Sequence, residues 1–108
     1  MIWQTMKWGD PLEIALQLKD PDGEIIPMDE TWRAVIGFSL TGDTSDPDFE
    51  FPMVIEDGMA MTDLDTREEP FEPGVLYYDI RYTDPEGKDR WTETTRLTLE
   101  HRQASASA

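Results

Sequence analysis

Leu76-Tyr77-Tyr78-Asp79-Ile80-Arg81-Tyr82-Thr83-Asp84-Pro85-Glu86-Gly87 is the stretch from which the fold can be read. Leu76, Tyr78, Ile80 and Tyr82 alternate with Tyr77, Asp79, Arg81 and Thr83, a period of two that lines one face of a half-buried strand with apolar side chains. Asp84-Pro85-Glu86-Gly87 then supplies the turn. Asp opens it, Pro presets φ at about −65°, and Gly accepts the positive φ that closes it. A strand that runs into such a turn predicts a β-hairpin.

The same grammar extends in both directions. Asp20-Pro21-Asp22-Gly23 is a near-copy of the turn. Before it, Leu12, Ile14, Leu16 and Leu18 alternate with Glu13, Ala15, Gln17 and Lys19. Trp32, Ala34, Ile36, Phe38 and Leu40 form a second inward set; Phe49, Phe51, Met53 and Ile55 a third; Trp91, Thr95, Leu97 and Leu99 a last one. Glu56-Asp57-Gly58 marks another tight connection, and Thr41–Asp48 and Thr66–Gly74 are longer ones. Pro70 and Pro73 exclude a regular strand from the latter, which has room for one helical turn at Thr66–Glu69. Pro52 has no N–H to donate, so its strand belongs at a sheet edge or at a bulge. No useful window carries apolar residues at helical spacing. The expectation is all-β: an antiparallel sandwich or small barrel of seven or eight strands.

The chain has 108 residues, enough for one domain and one core. Residues 1–102 are expected to form that domain, with 1–8 as a docking strand or arm and 103–108 as a flexible C-terminal tail. Cysteine is absent, so neither a disulfide nor a thiolate metal site can form. The first residues lack the basic start and apolar run of a secretory leader, and no apolar stretch approaches the ~20 residues of a membrane span.

Net charge is −15, which disfavours nucleic-acid phosphates and anionic membranes as partners. Between Asp43 and Glu72 eleven acids face one base, Arg67. That segment reads as a solvated acidic face or as a surface for a basic partner.

Little in the chain carries catalytic chemistry. The one histidine, His101, follows the last alternating run beside the tail, a poor place for a base that a third group must hold rigid. No phosphate-binding glycine loop or zinc-type cluster occurs. Asp43, Asp46 and Asp48, Asp20 with Asp22, and Asp84 with Glu86 offer oxygens for calcium, but none has EF-hand spacing and turn formation accounts for them. No enzyme activity, metal or cofactor is expected.

Aromatic residues carry the stronger signal. Trp32, Phe38, Phe51, Tyr78, Tyr82 and Trp91 fall on faces assigned to the core. Trp3, Trp8 and Tyr77 do not, and they are the candidate interface residues, since exposed Trp and Tyr are common anchors of protein interfaces. The competing reading makes residues 2–8 an ordinary first strand with Trp3 or Trp8 in the core.

The order of these features resembles the small Ig-like domains encoded by tailed bacteriophages, including the N-terminal domain of baseplate upper proteins. The similarity runs over roughly residues 9–100 through Gly9-Asp10, the Asp20–Gly23 turn, Ile26-Pro27-Met28-Asp29-Glu30-Thr31, Pro73-Gly74, Tyr78-Asp79-Ile80, Thr83-Asp84 and Gly87. Glu30 and Trp32 depart from the Leu and Gly usual in that family. The fibre or coiled-coil segment that follows in baseplate adaptors does not follow here, which favours a free-standing accessory protein.

The resemblance implies an immunoglobulin-like antiparallel β-sandwich and a structural role in the virion, after synthesis in the host cytoplasm. The implied partners are other virion proteins (head, tail or baseplate subunits), with self-association in the particle. Two other functions fit the residues: a carbohydrate-binding or adhesion module that stacks sugars on Trp3, Trp8 or Tyr77, and an acidic mimic of DNA.

Overall fold

The computed structural model describes residues 1–42 and 46–101. Asp43, one of the acids weighed for calcium, and the tail expected at 103–108 lie outside the described residues. Those described form no helix and eleven strand segments: β1 (Ile2–Lys7), β2 (Pro11–Leu16), β3 (Leu18–Lys19), β4 (Ile25–Ile26), β5 (Arg33–Ser39), β6 (Phe49–Pro52), β7 (Val54–Glu56), β8 (Met59–Asp65), β9 (Gly74–Thr83), β10 (Asp89–Trp91) and β11 (Thr95–Glu100). The fold is all-β and sandwich-like.

One sheet has the order β1-β11-β9-β5-β6, with β10 also paired to β9. The facing sheet is β2-β8-β7, and β3-β4 is a small hairpin of its own. All pairings are antiparallel except β1 with β11, which is parallel. Inward residues of the two sheets share one core: Leu12 and Ala60 from the smaller sheet, and Ala34, Ile36, Phe38, Leu76, Tyr78, Ile80, Leu97 and Leu99 from the larger. Phe71 enters from the connection before β9, and its ring meets Phe38 edge-on at 5.2 Å between centroids. Phe38 also contacts Phe49, Phe51 and Tyr78, so one aromatic cluster fastens β5, β6 and β9 to the loop that crosses them.

The two Asp-Pro turns are built alike. Asp20 Oδ1 accepts from the N–H groups of Asp22 and Glu24, both at 2.9 Å; Asp84 Oδ1 accepts from Glu86 and Lys88 at the same distances. Gly23 and Gly87 close them at φ of 84° and 87°. Between β7 and β8, Asp57 and Gly58 both have positive φ, as a two-residue hairpin loop with the twist of its strands requires.

Four sequence expectations need correction. First, two alternating runs are broken. The first is interrupted at Gln17, between β2 and β3. The Phe49–Ile55 run changes sheets after Pro52, with β6 at the edge of the larger sheet and β7 at the edge of the smaller. Met53 makes that crossing buried and donates its N–H to the Ala34 carbonyl at 2.9 Å.

Second, Trp91 is not a core residue: it is 58% exposed. Arg81 pairs with Trp91 and Tyr78 with Thr95, so three steps along β9 are matched by four on the returning chain. One extra residue reverses the facing of everything on its far side. Thr92 stitches the irregularity, its Oγ1 accepting from Ile80 N–H at 2.9 Å and its N–H donating to Ile80 O at 3.0 Å.

Third, Leu40 is exposed because β5 ends at Ser39. Fourth, Thr66–Glu69 is not helical. Two successive turns carry the chain there, with Glu68 N–H donating to Asp65 O and Phe71 N–H to Glu68 O.

Candidate functional site

β1 is an ordinary strand in its pairing and, like β5, contains no acid. Its parallel register with β11, and that of β11 with β9, sets Trp3, Arg96 and Tyr77 in one row across the outer face of the larger sheet. Trp3 is 68% exposed, and the Arg96 guanidinium carbon lies 4.5 Å from its ring centroid, a cation–π contact. Tyr77 is half-buried at the other end of the row. The adjoining row is Thr5, Thr98 and Val75. None of these six positions bears a carboxylate, in a chain with 24 acids. The block is bounded by ion pairs, Lys7 with Glu100 at 3.2 Å and the amino group of Met1 with Glu93.

The structure therefore brings Trp3 and Tyr77 together and sets Trp8 apart. Trp8 is half-buried against the core, and its indole N–H points to the Phe71 carbonyl at 3.4 Å. Beside it, Thr66 Oγ1 donates to Asp10 O and accepts from Gly9 N–H, each at 2.7 Å, which pins the β1–β2 corner to the end of β8. Arg96 joins the site without a motif of its own in the sequence. Its outward direction is legible from the alternation Thr95, Leu97, Leu99; its neighbour Trp3 is not, because that needs the parallel pairing of the two ends of the domain.

Further along the same face, Trp91 lies beside Arg81, which approaches Glu50 at 4.0 Å. With Asp79, Gly37, Asp46 and Pro47 these residues line a cleft of about 210 Å³. Gly37 admits Pro47 here: a Cβ on residue 37 would come within 3.1 Å of the proline Cβ.

The outer face of β2-β8-β7 has a different character. Ala15, Met61 and Val54 form an apolar row in register, with Glu13 opposite Asp63 on one side and Glu56 on the other. Asp65, nearby, holds Arg67; the Arg67 backbone N–H, ahead of its guanidinium, keeps that carboxyl below the usual carboxylate range.

His101 is exposed just beyond β11. Among the described residues, no group of three or more His, Asp or Glu is placed to hold a metal ion. The chain matches no family model, no curated protein and no solved structure.

Proposed function

We propose that this chain is a non-catalytic docking module with an Ig-like sandwich, built into the virion of a tailed phage through the outer face of β1, β11 and β9. The single observation that carries docking is the carboxylate-free row of Trp3, Arg96 and Tyr77 on an otherwise strongly acidic molecule. A flat aromatic and guanidinium surface can be desolvated against another protein without burying an unpaired acid.

The Ig-like reading is supported by strand order. Numbered as in an Ig domain, β2, β8 and β7 occupy the places of B, E and D, while β5, β9 and β11 occupy those of C, F and G. The phage assignment rests on the sequence resemblance in turn motifs and strand alternation, an analogy of fold and not of site.

The test is mass spectrometry of purified particles from the phage or prophage that encodes the chain. Incorporation is expected at a copy number set by particle symmetry. Trp3→Ala and Tyr77→Ala variants are expected to fold and to be lost from the particles. Absence of the wild-type chain from particles rejects the virion role. Undiminished incorporation of the double variant rejects this face as the point of attachment.

A further inference from the structure

The face opposite the Trp3 row has a second kind of surface. Along the outer side of β2-β8-β7, Ala15, Met61 and Val54 line up across the three strands, with Val54 61% and Met61 41% exposed. They form part of a shallow groove of about 630 Å³ that also takes in Glu13, Asp63 and Glu56. All three acids are exposed, and none makes an ion pair or side-chain hydrogen bond among the described residues.

Glu13 and Asp63 are direct cross-strand partners, so two like charges sit side by side on one face of the sheet. That arrangement opposes pairing of the strands, and a cation between them would relieve it. Arg67, close to Asp63, is engaged by Asp65.

We propose that this groove receives an extended basic segment of another protein, one in which apolar side chains and lysine or arginine take turns along a single face, at every second residue. The apolar side chains lie over Ala15, Met61 and Val54, and the flanking cations meet Glu13 and Asp63 on one side and Glu56 on the other. In a strand, residues two apart face the same way at a spacing of roughly 6.5–7 Å, so cations two residues before and two after an apolar side chain reach the acids on either side of the row. Net charge selects the occupant. A second copy brings another −15 charges to a face that already holds three unpaired acids, whereas a basic segment is drawn to it. This goes beyond attachment through Trp3 and Tyr77, because it uses the other sheet and a partner of opposite chemistry.

The experiment is a titration of the isotope-labelled, full-length protein, followed by amide chemical shifts. The probes are two synthetic nine-residue peptides with lysine and leucine taking turns at every second position and threonine in between, the second peptide carrying serine in place of leucine. The lysine–leucine peptide is expected to move Glu13–Ala15, Val54–Glu56 and Met61–Asp63, and to leave the two Asp-Pro turns in place. Glu13→Gln with Asp63→Asn is expected to weaken it by about three- to tenfold, the worth of two exposed charge contacts. Met61→Ser with Val54→Ser, both at exposed positions, is expected to abolish the preference for leucine over serine while the melting temperature holds.

Equal binding of the two peptides, or shifts spread over every acidic loop, would reduce the groove to general charge attraction and overturn the proposal. Concentration-dependent shifts at these residues without peptide would make a second copy the occupant and overturn it as well. Because particle attachment is read through Trp3 and Tyr77, either outcome leaves that reading standing, and failure of that reading leaves this one.

Discussion

The two outer faces of the sandwich are made by the same alternation and carry opposite electrostatics. On β1-β11-β9 the charges near the exposed aromatics are satisfied: Arg96 over Trp3, Lys7 with Glu100. On β2-β8-β7 the apolar row is bordered by acids that have no ion pair among the described residues. Net charge alone would have made both faces equivalent. What separates them is the segregation of acids away from β1, followed by a register that places its aromatic beside a cation.

The comparison depends on one core holding both faces at once, and its strongest test is to break that core. Phe38 is fully buried and touches four aromatic rings. Phe38→Ala is expected to cost about 3–5 kcal/mol, the range for deleting a buried aromatic side chain. Fluorescence of the tryptophans and backbone circular dichroism should then fall together, at a lower denaturant midpoint, if the two sheets unfold as one unit. Separate transitions would mean that each face has its own support.

A smaller effect should separate the faces. Thr66 is completely buried, and its hydroxyl serves both Gly9 N–H and Asp10 O where the chain passes from one sheet to the other. Thr66→Val keeps the shape and removes both of these buried hydrogen bonds, at a cost of about 1–3 kcal/mol. Hydrogen exchange should quicken at β1 and the start of β2 before it does at β5 and β9. Uniform loss of protection would show that the corner does not hold β1 in place.

Much of this architecture is legible in the sequence, because local rules dictate it. Asp-Pro-x-Gly has one economical backbone path, so both turns form as the residues require. Alternation gives the inward sets of β5, β9 and β11 because each strand stays in register through its length. Reading fails where register changes. The extra residue between Trp91 and Thr95 turns Trp91 outward, and nothing in Thr92-Glu93-Thr94 announces it. The passage of Phe49–Ile55 between sheets is likewise silent apart from Pro52. Of the candidate site, Trp3 and Tyr77 could be named from sequence; their meeting through Arg96 could not, since it joins opposite ends of the chain. The Ala15–Met61–Val54 row was hidden for the same reason: each residue alone is an unremarkable outward position.

Alkaline pH probes the larger sheet alone. Burial raises the Tyr78 phenol above its ordinary value of 10.0, with Thr95 pulling slightly the other way, and the hydroxyl donates to Gln4 Oε1 at 2.8 Å. Since the folded state holds this proton more tightly than the unfolded chain, the associated stability is fully present below about pH 10 and is lost as pH rises through the folded value. Tyr78→Phe should lower stability at neutral pH by about 0.5–1.5 kcal/mol for the lost hydrogen bond. The difference between the two proteins should shrink above pH 10; a constant difference would show that the phenol does not ionise against burial.

The smallest expected effect has the opposite sign, and it belongs to the other face. Glu13 and Asp63 repel one another across β2 and β8, and neither forms an ion pair among the described residues. Asp63→Asn preserves size and strand direction while removing one of the two charges. It should therefore stabilise the free protein by about 0.2–1 kcal/mol, the scale of a direct cross-strand pair. The gain should fade as salt is added, because exposed charges at this spacing are screened. The matching change on the opposite face, Arg96→Gln, should lose stability instead, since it removes a cation that already rests on Trp3. Gains on both faces, or losses on both, would mean that net charge and not local pairing governs the surface; opposite signs would mean that the acidic face gives up stability in the free protein to keep its charges available.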